Sequence, residues 1–190
     1  MATAVAHHRF SVDDLYRMLE AGILSEDDRV ELIRGEIVDM TPIGSLHAMT
    51  VDRLNREISG AIFRAGLEAS LLLRVQNPVR LAEDSEPEPD LALLKAGDYS
   101  RAHPGPHDVL LIVEVADTSV DSDRRVKIPL YAESRIGEIW LVDLTVGCVE
   151  VYRGATPEGY QPVSRVSRGQ SVSCAAVPQV IISVDKILGS

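Results

Sequence analysis

Two carboxylates occupy positions where an apolar strand normally excludes charge. Asp90 ends the proline-punctuated acidic loop SEPEPD and directly precedes the apolar stretch LALL. Glu114 lies inside the apolar run VLLIVEV, where a charge without a partner carries a large desolvation cost. Both side chains therefore need partners, and those partners indicate which chemistry the chain could perform.

A divalent cation would supply one such partner. If the strands that carry Asp90 and Glu114 are neighbours, their backbones lie about 5 Å apart. Two carboxylates at that separation repel each other, so one would be pushed toward protonation unless a cation joined them. Mg²⁺, or Mn²⁺ in its place, fits this arrangement because Mg²⁺ binds one or two carboxylates, waters and a substrate phosphate. The two acids are therefore predicted to share a metal ion.

Lys127, within DSDRRVKIPLY, is the third candidate. A lysine beside a metal site can polarise an attacking water or balance negative charge that develops on a phosphate. Asp123 precedes it by four residues and could hold it at helical i, i+4 spacing. Taken singly, each residue also has an ordinary explanation: a turn for Asp90, a buried ion pair for Glu114 and a solvated surface charge for Lys127.

Length and charge limit the remaining possibilities. The 190 residues are expected to form a single domain over 1–190, with a flexible N terminus at about 1–10. The net charge is −10, from 19 basic and 29 acidic residues. A sequence-blind coat for nucleic acid needs a basic surface, so this class is excluded for the chain as a whole. Contacts with phosphates must be local or metal-assisted.

The compartment is suggested by the cysteines and by the hydropathy. Cys148 and Cys174 form no CxxC pair and have no histidine nearby, which favours neither a zinc site nor a disulfide. They are interpreted as reduced thiols of a cytoplasmic protein. No apolar run is long enough to cross a bilayer, and MATAVAHHRF does not resemble a signal peptide. We therefore expect a cytoplasmic protein with no membrane partner.

The periodicity of the sequence predicts how these residues are positioned. Ser11 and Asp14 predict a capping box on a first helix, and Arg34-Gly35 the turn of a hairpin. The elements expected after the hairpin are a helix ended by Gly66, strands ASLLLRV, PVRL, LALL and VLLIVEV, a helix from Asp121 to Ser134 kinked or delayed by Pro129, strands EIWLVDL, CVEVYR and QPVSRV, and a closing helix VDKIL. This order predicts an α/β (α+β) domain around a central mixed β-sheet flanked by helices.

The succession of PD, an apolar strand ending in Glu-Val, and a lysine on the following helix resembles the PD-(D/E)XK nuclease superfamily. More closely, it resembles the large bacterial family of restriction endonucleases in which the lysine has moved off the strand. The similarity covers most of the chain, and its most specific block is IVEVADTSVDSDRRVKIPLYAESRIGEIWLVDL. The resemblance implies a restriction-endonuclease-like fold with an N-terminal helix and hairpin.

The resemblance also assigns roles at the site. It implies Asp90 and Glu114 as metal ligands, the backbone carbonyl of Val115 as an additional ligand, and Lys127 as the catalytic cation. The chain departs from the superfamily at Ala116, where a Glu-x-Lys motif would place the lysine. Catalysis then depends on Lys127 reaching the site from the helix.

Three further residues match the family pattern in supporting positions, namely Glu31, His47 and Gln76. Each has an alternative interpretation. Glu31 could be the solvent-facing residue of a hairpin strand, and His47 a surface histidine beside a helix cap. Gln76 could satisfy backbone groups at the break before Pro78.

The function implied by the resemblance is divalent-metal-dependent hydrolysis of phosphodiester bonds in nucleic acid, with DNA as the expected substrate. A homodimer is expected by analogy, because cutting both strands of a duplex suits a two-fold assembly. Two alternatives remain open. One is a catalytically inactive nuclease fold that acts as a nucleic-acid- or protein-binding module, and the other is a small-molecule enzyme that uses the same carboxylates.

Overall fold

A computed structural model describes residues 7–25, 27–156, 158–161 and 163–189. The helices are α1 (Val12–Glu20), α2 (Ser45–Ala65), α3 (Val120–Ser122), α4 (Ile128–Glu133) and α5 (Val184–Leu188), with a π-turn (Asp123–Lys127) between α3 and α4. The strands are β1 (Val30–Ile33), β2 (Glu36–Asp39), β3 (Leu71–Val75), β4 (Leu91–Lys95), β5 (Val109–Ala116), β6 (Glu138–Asp143), β7 (Cys148–Arg153), β8 (Ser164–Ser167), β9 (Ser171–Ser173) and β10 (Ile181–Ser183). Within these ranges no helix combines the length and apolar character needed to cross a membrane.

A six-stranded sheet in the order β3-β4-β5-β6-β7-β8 forms the centre of the fold. Strands β5 and β6 run parallel, and the other neighbouring pairs are antiparallel. The parallel pair requires a crossover, which the helical segment from α3 to α4 supplies. The predicted mixed sheet flanked by helices is therefore confirmed.

Alternation along β5 sends its side chains to two separate cores. Val113 and Val115 pack in the core shared with α2, whereas Ala116 packs in the core shared with α4. Glu114 has the same parity as Ala116, so it points toward the α4 side of the sheet. Ala116 itself is fully buried, so a lysine at this position would be enclosed in the α4 core.

The crossover helix passes through Pro129 by widening one turn. Ile128 donates its N–H to the carbonyl of Asp123, five residues back, which defines the π-turn. In a regular α-helix the ring of Pro129 would press against the carbonyl of Arg125. The wide turn accommodates the ring and lets helical backbone continue, and it carries Lys127 at its last position.

The N-terminal elements agree with the sequence prediction. Ser11 and Asp14 form the capping box of α1. Arg34 and Gly35 both have positive φ, at 49° and 76°, as a two-residue type I′ hairpin turn requires. Residues 1–6 of the expected flexible N terminus lie outside the described residues, whereas Phe10 donates its N–H to the carbonyl of Gly35.

One expectation about strands was wrong, and one strand pair was not predicted. The PVRL segment is not a strand, because its backbone pairs with loops: Val79 donates to the carbonyl of Pro87, and Arg80 to that of Pro104. At the C-terminal end, β9 and β10 form an antiparallel pair that the sequence analysis did not predict. Neither segment has a strong local pattern from which its pairing could have been predicted.

An ion network of two buried carboxylates and two partly exposed arginines ties the crossover to the sheet. Arg124 in the π-turn donates to Asp143 Oδ2 at 2.7 Å and to Glu150 Oε2 at 3.0 Å. Arg165 Nε donates to Glu150 Oε1 at 2.9 Å. Burial alone would raise the pKa of Asp143 and of Glu150, but hydrogen bonds, including those from Arg124, bring both pKa values below their ordinary range. Both carboxylates are therefore fully compensated.

Arg124→Ala should lower the free energy of unfolding by about 3 kcal/mol, because it leaves two buried carboxylates short of a cation. The matched substitution Arg125→Ala, on an exposed side chain of the same turn, should change it by less than about 0.5 kcal/mol. Urea denaturation at pH 7 measures both. Equal losses for the two variants would contradict the assignment.

The same network should make part of the stability sensitive to acid. Groups whose pKa is lowered by folding contribute stability above their unfolded pKa, here 3.8 for Asp143 and 4.5 for Glu150, and lose it as the pH falls through the folded values. The difference in unfolding free energy between wild type and Arg124→Ala should therefore shrink as the pH falls below 4.5. A difference that is constant down to pH 3 would contradict this.

Candidate active site

Asp90 and Glu114 lie on neighbouring strands, as the sequence analysis required. Leu91 pairs with Val113 in the antiparallel β4–β5 register, which places Asp90 beside the stretch that carries Glu114. The backbone N–H of Val115 donates to Asp90 Oδ2 at 2.8 Å. Asp90 is thereby anchored to the strand that carries the second acid.

Two of the predicted supporting residues hold the other oxygen of Asp90. His47, in the first turn of α2, places Nε2 2.8 Å from Asp90 Oδ1. Gln76 has a positive φ of 49°, and its side-chain nitrogen lies 3.4 Å from the same oxygen. Its backbone N–H also donates to the carbonyl of Asp90, so Gln76 contacts both the backbone and the side chain of Asp90. The hydrogen bond to Asp90 raises the pKa of His47, which favours the imidazolium form.

Glu114 is almost completely buried, with 3% of its surface exposed. Tyr131 on α4 donates its hydroxyl to Glu114 Oε1 at 2.6 Å, and Lys127 Nζ lies 3.5 Å from the same oxygen. Burial raises the pKa of Glu114 to about 8, with Asp90 and Asp123 adding to the effect and Lys127 opposing it. Nearby positive charge therefore balances this acid only in part.

Lys127 is a buried cation between two acids. Its Nζ lies 3.3 Å from Glu31 Oε2 in addition to its contact with Glu114. Burial alone would lower the pKa of Lys127, but the surrounding carboxylates raise it above its ordinary value, so the amine stays protonated. The interpretation of Lys127 as a solvated surface charge is wrong.

Asp123 does not hold Lys127 in the way the sequence suggested. Its Oδ2 accepts a hydrogen bond from Ser119 at 2.7 Å, and no ion pair joins it to Lys127 among the described contacts. Both residues lie in the π-turn, where Lys127 contacts Glu31 and Glu114 instead. Burial raises the pKa of Asp123.

These side chains line a cleft of about 500 Å³ between the β1–β2 hairpin and the crossover helix. Its walls carry two fixed cations, Arg29 and Lys127, together with His47. They also carry seven carboxylates: Glu31, Glu36, Asp39, Glu88, Asp90, Glu114 and Asp123. The cleft is strongly acidic.

The structure brings together the sequence-predicted site residues, since Glu31, His47, Gln76, Asp90, Glu114, Val115 and Lys127 all line this cleft. Glu31 is buried and does not face solvent as a hairpin-surface residue would. Val115 contributes an observed N–H contact, and the ligand role of its carbonyl stays a prediction.

Two residues of the site were missed from the sequence. Tyr131 lies four residues after Lys127 in an apolar helical stripe, a pattern that is typical of ordinary core packing. Glu88 lies two residues before Asp90, so in extended backbone it shares a side with that acid. Its backbone N–H donates to Glu31 Oε2 at 3.3 Å, and burial raises the pKa of its own carboxyl. The i, i+2 spacing could have identified Glu88.

The sequence matches a known protein family over most of its length. The family model of Uma2, described as "Putative restriction endonuclease", matches residues 12–185. The chain belongs to the Uma2 family. This match confirms the resemblance to bacterial restriction endonucleases at the level of the family. The matched range contains every residue of the site named above.

A solved structure shares the fold of this Uma2 chain. It is described as a "putative nuclease belonging to DUF820" from Anabaena variabilis ATCC 29413. The two are 14% identical, with a TM-score of 0.69 over 94% of this chain and 97% of the other. No curated protein matches the sequence. The likeness shows a nuclease-like fold, and the chemistry has to be argued from the cleft.

The cleft residues fit a hard divalent cation. The available donors are carboxylate oxygens, which Mg²⁺ prefers. Burial, with Asp90 and Asp123 adding to the effect, raises the pKa of Glu114, and a bound dication would favour its ionised form. Asp90 uses both oxygens in hydrogen bonds but retains lone pairs, because a carboxylate offers about four acceptor positions. No group of three or more His, Cys, Asp or Glu side chains poised for a metal occurs in the described ranges. A site of two carboxylates completed by waters is compatible with that finding.

Lys127→Met should lower the free energy of unfolding by about 3 kcal/mol in EDTA, because it strands Glu31 and Glu114 without their cation. Measured above the raised pKa of Glu114, where its carboxyl is ionised, adding Glu114→Gln should recover more than half of that loss, since the amide then removes one buried charge. Urea denaturation of both single variants and the double variant gives the interaction free energy.

The matched control is Lys186→Met, which removes a surface ion pair with Glu57 and should cost less than about 1 kcal/mol. Simple additivity of Lys127→Met and Glu114→Gln would contradict the coupling described here.

Proposed function

We propose that this chain is a divalent-cation-dependent endonuclease that hydrolyses phosphodiester bonds of nucleic acid, with DNA as substrate. The observation that carries the proposal is the meeting of Asp90, Glu114 and protonated Lys127 in one acidic cleft. Membership of a restriction-endonuclease family supports the same reaction class. We further propose a single cytoplasmic domain that works as a homodimer.

The proposed ligands of Mg²⁺ or Mn²⁺ are the carboxylates of Asp90 and Glu114 and the carbonyl of Val115. When bound, the cation would lower the pKa of a water and stabilise charge on the phosphate. In the hydrolysis, the water oxygen bonds to phosphorus, the ester P–O bond breaks and the leaving oxygen takes up a proton. The products are a phosphate monoester and a hydroxyl.

Residues of the chain itself have the remaining roles in the proposed reaction. Lys127 is protonated, so it acts as a fixed positive charge beside the phosphate and does not accept the proton of water. Glu31 holds the ammonium from the hairpin side. His47 and Gln76 orient Asp90 through Oδ1. Glu31 therefore positions the cation proposed to face the phosphate, whereas His47 and Gln76 position a proposed metal ligand.

The alternative is a nuclease fold that binds nucleic acid or protein without cleaving it. The observation in its favour is that Lys127 already neutralises part of the charge on Glu114. The two functions differ in cation binding and in turnover, so the two experiments below separate them.

Calorimetric titration with Mn²⁺ should show saturable binding to the wild type. Asp90→Asn and Glu114→Gln should each weaken it at least tenfold, because each removes one anionic ligand. The matched control is Asp121→Asn, an exposed carboxylate next to the cleft, which should bind like the wild type. Full retention of binding in both cleft variants would refute the proposed ligands.

Cleavage of DNA in Mn²⁺ or Mg²⁺ should fall at least 100-fold in Lys127→Ala, because transition-state charge loses its fixed cation. Lys186→Ala, a surface lysine on α5, should stay within twofold of the wild type. Gel analysis of timed digests measures both. DNA retention without cleavage by the folded wild type would favour the binding module.

A further inference from the structure

The reactive groups lie at the bottom of the cleft. The exposed fraction of the side chain is 4% for Glu114, 11% for Asp90 and 14% for Lys127. A phosphate can contact them only by entering between the hairpin and the crossover helix. Duplex DNA has a persistence length of about 50 nm and cannot bend inward over a few ångströms. A flexible single strand can.

The charge of the cleft also favours a single strand over a duplex. Seven carboxylates face two fixed cations along its walls. Proteins that hold a duplex neutralise several phosphates along it with lysine and arginine, and the described walls offer no such series. Admitting one nucleotide brings fewer phosphates near the carboxylates than seating a duplex does.

The hairpin side of the cleft carries apolar side chains that are open to solvent. Val38 is 39% exposed and Ile43 is 38% exposed, and both line the cleft together with Met40. Exposed apolar groups beside an acidic cleft suit the flat apolar face of a nucleobase. A paired base reaches such a wall only after extrusion, which costs a few kcal/mol, whereas an unpaired base is already available.

We propose that the substrate is single-stranded nucleic acid, with its phosphate at Lys127 and Glu114 and the adjoining base against Val38 and Ile43. This inference rests on the proposed function and extends it to the class of substrate. Double-stranded DNA is then cut only in unpaired tails.

The test uses three labelled DNAs of one sequence: a single strand, a blunt duplex and a duplex with a single-stranded tail. With Mn²⁺, the single strand should be cut at least tenfold faster than the blunt duplex, and cuts in the third DNA should fall in the tail. Equal or faster cutting of the blunt duplex overturns the inference while leaving the nuclease function intact.

A binding measurement tests the preference for a single strand over a duplex independently of catalysis. Fluorescence anisotropy with Glu114→Gln should show at least tenfold tighter binding of the single strand than of the blunt duplex. If the wild type cuts none of the DNAs, the proposed function fails, and the anisotropy ratio still supports or overturns the single-strand preference. A ratio near one overturns it.

Ile43→Ser tests the wall directly. It should raise KM for the single strand several-fold and leave kcat within twofold, because it removes contact with the base and not with the phosphate. The matched control is Ile23→Ser, a 72% exposed isoleucine that does not line the cleft, which should leave KM unchanged. Equal effects of the two substitutions would overturn the assignment of the wall.

Discussion

The burial of a carboxylate in the middle of the central sheet is the constraint that organises this molecule. Glu114 lies on β5 with apolar neighbours on both sides, so its charge must be met by groups that come from outside the strand. Lys127 supplies an ammonium and Tyr131 a hydroxyl, both from the crossover segment. The π-turn before Pro129 is what places Lys127 over the strand. Without that segment, Glu114 would be an uncompensated buried acid.

Two sets of buried carboxylates show how differently such a charge can be compensated. Asp143 and Glu150 receive hydrogen bonds from Arg124, and their pKa values lie below the ordinary range. Glu114 shares one lysine with Glu31, and its pKa rises to about 8. The first set is a structural tie between the crossover and the sheet. The second keeps a carboxyl with a strongly raised pKa beside an open cleft, which is the pattern of a functional site.

The cleft links this electrostatic imbalance to the proposed chemistry. Its seven carboxylates support the proposed divalent cation, and the burial of Glu114, Asp90 and Lys127 supports the proposed single-stranded substrate. The hairpin, which carries Glu31 and Val38, contributes both a contact to Lys127 and an apolar wall. In the proposed function, one supersecondary element would serve both the positioning of Lys127 and the recognition of substrate. Its Arg34-Gly35 turn and its contact with Phe10 anchor it to the N-terminal part of the fold.

The sequence by itself determined the features that depend on local patterns. The capping box at Ser11, the alternation around Glu114 and the order Asp90, Glu114, Lys127 were all readable because each follows from short-range periodicity or from the cost of burying charge. The tertiary structure decided the features that depend on long-range pairing. It turned Asp123 toward Ser119 and brought Glu31 to Lys127, because a π-turn and a distant hairpin set those directions. It also gave Tyr131 its role, since a tyrosine in an apolar stripe acquires a polar partner only when the opposing strand supplies a carboxylate.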